Sequence, residues 1–502
     1  MSEAVTTLTP QVPEVSPAAH LVDFSDKLSP MLVKELRQGM RTNLFTVAFI
    51  LLQAFMILCM LFGMNGGGSE TSGFFWFFVI VAMLVVQPIR GFGALSSEYS
   101  LNTMALIQLT RLGAWRIAFG KWAAIVAQSM LLLTGILPYV VMRYFQGGID
   151  LFKDLEGILY VMLGTCLLTA VTVGFSSFKS VILRVALLIG AGIGAMIVGV
   201  FVVETKFNRY SGVGSGIQFW ETVGAVIAVI YATYYLLDLG AGRIAPESAN
   251  HSSRKRIISL IFIVVMLLLP FIGVNSEFVI ALTAIVILLV GIDSITESPS
   301  VLPGVLRPFS KLFLTRMAAG FLTPGWHTGL RYFVLCSVLL IVGIFVHIDT
   351  SNFDDMESWI MTVSAIAAVT FPLLIIHLFF YPVTYSQFYF GLYVLIQVCV
   401  FAVAFFVSIV ASELFGRSLN PLLYMCFPIP FVNMFSVTWG NNEEPYFLIA
   451  SLVFLFFSLL VPAIRSGPIF KRMRETFVGI RDGNVEDIIE QTERQIIPES
   501  TK

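Results

Sequence analysis

Leu44–Met64 reads LFTVAFILLQAFMILCMLFGM, a run of 21 residues without a charge. A helix of about 20 apolar residues matches the thickness of bilayer hydrocarbon, so this run reads as a transmembrane span. Similar windows recur at Phe74–Ile89, Trp122–Phe145, Gly157–Phe178, Val181–Val203, Ile217–Leu237, Ile257–Val274, Phe278–Ile292, Tyr332–Val346, Ile360–Phe380, Phe390–Phe415 and Tyr446–Ile464, making twelve in all. The expected fold class is therefore an all-α polytopic integral membrane protein with about twelve transmembrane helices. Composition agrees. The chain is 57% hydrophobic and 12% charged, with a mean hydropathy of +0.88, whereas roughly a quarter of the residues of a soluble chain are charged. Cys59, Cys166, Cys336, Cys399 and Cys426 fall in or beside apolar stretches without paired spacing, which argues against a disulfide or metal framework.

Basic residues orient the spans, because cytoplasmic loops carry an excess of Lys and Arg. With twelve spans and a cytoplasmic N-terminus, 25 of the 30 Lys and Arg residues fall in cytoplasmic segments or at their span boundaries. Only Arg143, Lys153, Lys206, Arg209 and Arg417 lie outside. A further stretch, Leu419–Thr438, is broken by Asn420, Pro421, Pro428, Pro430 and Asn433. Were it a thirteenth crossing, Arg465, Lys471, Arg472, Arg474 and Arg481 would move to the far side. It is read instead as a re-entrant or surface hairpin, since broken backbone at membrane depth needs protein or water around it. The expected location is the cytoplasmic (inner) membrane of the cell, with both termini cytoplasmic.

The twelve windows form two groups of six with a common layout: two spans, a long cytoplasmic segment, then four spans. The layout suggests two tandem six-helix units, since membrane transporters often carry internal repeats; chance agreement of hydropathy is the alternative. Residues 1–29 are polar with scattered prolines and read as a disordered cytoplasmic tail. Residues 30–43 are expected to form an interfacial amphipathic helix. Ser29 caps it, Pro30 opens its first turn, and Leu32, Val33, Leu36 and Met40 share one face. The competing reading is an ordinary polar lead-in to a span. The six-helix units would then occupy 44–240 and 257–464. Between them 241–256, with Arg254-Lys255-Arg256, would be a basic cytoplasmic linker, and 465–502 would form a cytoplasmic C-terminal tail.

Between the second and third spans lies Glu98-Tyr99-Ser100-Leu101-Asn102-Thr103-Met104-Ala105-Leu106-Ile107-Gln108-Leu109-Thr110, followed by Gly120-Lys121. This run is too polar to span a bilayer and too apolar for a loose linker. It resembles the loop after the second span of type-2 ABC export permeases. In that family an acidic residue precedes a Gly-Thr-like pair, a Leu-Leu-like step, a Thr-Pro pair and a Gly-Lys at the entry to the third span. Here those positions carry Glu98, Asn102-Thr103, Leu106-Ile107, Thr110-Arg111 and Gly120-Lys121, with Asn102 and Arg111 departing from the usual glycine and proline.

The resemblance covers about the first 240 residues and implies a coupling helix that meets a separate ABC ATPase subunit. Glu98, Thr103, Leu106, Ile107, Gln108, Thr110, Gly120 and Lys121 would form that coupling loop, Lys121 pairing with Glu98 or with lipid phosphate. The competing reading is a loop that only seals the headgroup boundary. In the second long loop, Asp293–Arg331, Ser310–Phe321 reads as an amphipathic cationic helix. It would be either a diverged second coupling element or a positive-inside anchor.

Signatures of catalysis are missing. Gly113–Lys121 has the wrong spacing for a phosphate-binding loop, and Trp122 stands where a Mg²⁺-binding Ser or Thr is needed. There is no His-Glu-x-x-His, and His20, His251, His327, His347 and His377 are scattered. His377 lies deep in a span and is expected to be neutral and bonded to a neighbouring helix. Gly190-Ala191-Gly192-Ile193-Gly194 would permit close helix packing. Asp349, Asp354, Asp355 and Glu357 read as a solvated outer patch.

The expectation is a non-enzymatic permease that exports an unknown substrate. ATP and Mg²⁺ would be bound by the ATPase partner and no cofactor by this chain, with the lipid bilayer as the other partner and no nucleic acid. The alternatives are a secondary transporter or channel, and a membrane assembly protein without transport. Carboxylates near the bilayer midplane would favour a coupled carrier, yet Asp238, Asp293 and Glu413 fall at span ends.

Overall fold

The computed structural model describes residues 30–66, 72–96, 113–147, 151–192, 215–245, 250–299, 301–347, 356–385, 388–415, 430–433 and 445–482. Every regular element among them is helical. Those used below are α1 (Pro30–Met40), α2 (Asn43–Gly66), α3 (Ser72–Gly93), α4 (Ala114–Gln146), α5 (Leu151–Phe175), α6 (Val181–Gly192) and α7 (Ser215–Ile244). They continue with α8 (His251–Leu268), α9 (Ser276–Ile295), α10 (Phe313–Leu322), α11 (Trp326–His347), α12 (Met356–Phe379), α13 (Tyr389–Phe415) and α14 (Pro445–Asp482). All but α1, α6 and α10 are long and apolar enough to cross a bilayer, which makes eleven spans among the described residues. The remaining expected window, Val181–Val203, is described only as far as Gly192. The chain is a multi-pass, all-α membrane protein.

The residues group into two compact units. The first holds the chain up to Gly91 together with Arg116–Thr165; the second holds the rest. The divisions fall inside α3, α4 and α5. In the second unit α7 and α8 flank the expected linker and share one core. Tyr231 stacks on Phe262 at 3.9 Å, and its hydroxyl donates to Ser259 Oγ at 2.6 Å. Within the segment 241–256, residues 241–244 end α7 and residues 251–256 open α8. Asn250 caps α8 by accepting from the Ser253 amide, and Arg254, Lys255 and Arg256 lie inside the helix.

In the first unit, Met56 and Met60 of α2, Phe75 and Met83 of α3, and Leu132 and Ile136 of α4 build one core, joined by Ile158 of α5. Pro88 has no N–H and its ring crowds the carbonyl four residues earlier. Just before it, α3 widens into a π-turn over Val81–Val86. At the other end Arg143 is fully buried. It is held by Asp154 at 2.8 Å and Ser72 at 2.9 Å, over the Phe75 ring at 4.1 Å.

In the second unit, hydroxyl pairs join α12 to α14: Ser364 to Ser451 at 2.7 Å and Thr370 to Ser458 at 2.6 Å. Asn433, within the expected hairpin, donates to Ser451 at 2.9 Å. Helix α14 does not stop at Ile464 but runs on to Asp482. Its extension is held by packing, since Met473 and Phe477 are buried against Leu306 and Ala319.

Among the described residues, close helix approach occurs at Gly174 and Gly329. A Cβ on Gly174 would sit 2.4 Å from the Leu236 carbonyl oxygen, and one on Gly329 only 1.9 Å from that of Ser294. Of the expected glycines, Gly190 and Gly192 are each exposed on α6, where an added Cβ meets nothing among the described residues, and Gly194 lies outside them.

Candidate functional site

Gly120 and Lys121, which end the coupling-loop pattern, lie in the second turn of α4 and are buried. A Cβ on Gly120 would press on Met31 at 3.1 Å, so glycine lets α1 lie directly on α4. One residue on, Lys121 Nζ sits 3.1 Å from Glu35 Oε1, the lysine 5% and the glutamate 19% exposed. Glu35 is the only acid in the 30–43 segment. A charge-assisted bond so shielded from water is stronger than a neutral one.

The far end of α1 is fastened too. Arg90 at the end of α3 donates to the Gly39 carbonyl at 3.0 Å and to Gln87 at 3.2 Å. Gly39 also faces the Gln128 side chain so closely that a Cβ would overlap it. The expected interfacial helix is thus bound to α3 and α4 at both ends. Glu98, Thr103, Leu106, Ile107, Gln108 and Thr110 lie outside the described residues. Glu98, the expected partner of Lys121 besides lipid phosphate, is among these; among the described residues Lys121 contacts Glu35. Glu35, Arg90 and Gln128 have no counterpart in the sequence pattern, although a lone acid in a cationic helix is a signal for Glu35.

A second polar cluster lies in the second unit, where α7 and α9 end and α8 and α11 begin. Lys255 Nζ contacts Asp293 Oδ2 at 2.5 Å and Glu297 Oε1 at 3.5 Å. Tyr235 donates its hydroxyl to Asp293 at 2.8 Å. Arg256 bonds Glu297 at 2.7 Å and donates to the carbonyls of Phe321 and Thr323 at 2.9 and 2.7 Å. It also reaches Thr328 Oγ1 at 3.0 Å, so it ties α8 to the Thr323-Pro324-Gly325 turn before α11. At the rim Asp238 receives Arg254 and His251.

Asp293 is in the last turn of α9 and Lys255 in the second turn of α8, the helix ends where the macrodipole disfavours those charges. Pairing offsets this, and two cations face two carboxylates. Asp293 is on α9 and Glu297 lies two residues beyond its end, and both carboxylates reach Lys255. Lys255 and Arg256 of the expected basic linker thus belong to a buried ion cluster, because helix packing places carboxylates against them.

His377 is fully buried, but its Nδ1–H donates at 2.8 Å to Leu373 of its own helix and not to a neighbouring one; α11 supplies the Trp326 ring, 4.4 Å away. Asp349, Asp354 and Asp355 lie outside the described residues. Among the described residues no group of three or more His, Cys, Asp or Glu is arranged to hold a metal ion. No protein-family model, curated protein or solved structure matches the chain.

Proposed function

We propose that the chain is the membrane-spanning permease component of an ABC transporter, exporting its substrate with energy from a separate ATPase subunit. The observation that supports this most is the clasp of Glu35 on Lys121 beside Gly120. It joins the Gly-Lys end of the family-like loop to α1 and α4, so a push on that loop would be delivered to both helices together. The ATPase would dock at the cytoplasmic loops and hold ATP and Mg²⁺; the distribution of basic residues puts both termini on that side.

A coupled carrier needs a carboxylate able to exchange a proton or cation. Asp293 and Glu297 each already hold a lysine or arginine, which favours energy from outside the chain. The test is copurification. Isolated protein should hydrolyse no ATP, and replacing Glu98, Ile107 and Gln108 together by Ala should weaken retention of the ATPase. Robust hydrolysis by the isolated chain, or unchanged retention by the triple variant, would overturn the reading.

A further inference from the structure

Helix α10 is packed on one side only. Ala319 and Gly320 are buried, with Ala319 in the core that the α14 extension shares. Its first turn stands clear: Leu312, Phe313, Leu314 and Met317 are 65%, 73%, 77% and 57% exposed. On a helix, Phe313, Met317 and Leu314 fall within about 100° of one another, so they form a single apolar ridge.

The charge around this ridge is predominantly positive. Residues 301–322 contain Arg307, Lys311 and Arg316 and no acid. The extension packed beside them adds exposed Lys471, Arg472 and Arg474 against Glu475, and at its end Arg481 pairs with Asp482. An apolar ridge flanked by cations matches the boundary between acyl chains and anionic head groups, where the ridge enters hydrocarbon and the cations meet phosphate. A docking groove of a soluble subunit would need carboxylates to answer six cations; a lipid surface supplies phosphates at every position.

We propose that α10 and the α14 extension form a binding surface for phosphate-bearing anionic lipids, with Phe313 and Leu314 inserted at the acyl boundary. The site depends on nothing in the coupling loop and stands whether or not an ATPase partner exists.

A benzophenone amino acid placed at position 313 of the full chain, photoactivated in membranes, tests this by the mass of the adduct. Ile261, exposed at 59% within a span, is the lipid-facing control position. Position 313 should give phospholipid adducts as 261 does, enriched in anionic lipid relative to 261. Lys311→Gln with Arg316→Gln should lower that enrichment by roughly five-fold for each cation removed, leaving the adducts at 261 unchanged. Adducts to an ATPase subunit or to a second copy of the chain would overturn the proposal. So would the absence of lipid adducts at 313 while 261 gives them, or an enrichment that survives the double substitution.

Discussion

Replacing Lys255 by methionine keeps the length and most of the volume of the side chain and removes only its charge. Lys255 and Asp293 are 7% and 8% exposed and 2.5 Å apart. The substitution leaves the Asp293 carboxylate buried with the Tyr235 hydroxyl as its remaining described donor. Removing one partner of a buried ion pair costs about 3–5 kcal/mol, because the other charge is left uncompensated. At 1.4 kcal/mol per factor of ten, that is roughly a hundred- to several-thousand-fold in the unfolding constant.

The reverse change should cost less. Asp293→Asn leaves Lys255 with Glu297 at 3.5 Å, so the loss is that of one hydrogen bond to a charged group, about 1.5–3 kcal/mol. In the double variant no orphan charge remains at position 293, and its stability should exceed that of Lys255→Met alone. The assay is a double-mutant cycle on unfolding free energy in lipid bicelles. Strict additivity, or a Lys255→Met cost below about 1 kcal/mol, would refute the assignment of a buried compensating pair.

Gly329→Ala should destabilise by at least about 1–3 kcal/mol, because the new methyl meets a backbone oxygen at 1.9 Å that cannot rotate aside. Gly190→Ala should be neutral or favourable, and the two thermal unfolding midpoints measured side by side check both. Lys121→Glu should loosen α1, exposing its amides to faster hydrogen exchange, and Glu35→Lys in the same chain should restore much of the protection. Equal exchange in the single and double variants would mean that the pair does not hold α1.

The spans were legible because hydropathy is a local property. A window such as Leu44–Met64 is apolar whatever surrounds it, and eleven of the twelve expected windows coincide with helices of spanning length. Gly120-Lys121 could be singled out by its position after the second span. Its partner could not be derived by spacing, since Glu35 is 86 residues away and pairing at that separation depends on how α1 folds back.

Charges at span ends are the least legible feature. Arg254-Lys255-Arg256 reads the same whether water or carboxylates surround it, because positive charge at a membrane boundary is satisfied either way. Only the packing of α7, α8, α9 and α11 brings Asp293 and Glu297 to Lys255 and Arg256, burying Asp293, Lys255 and Arg256 and half-burying Glu297. Small residues divide in the same manner. The sequence shows where glycine permits contact. Tertiary structure alone leaves Gly190 facing outward and sets Gly174 and Gly329 against carbonyls, because close approach needs a second helix to arrive.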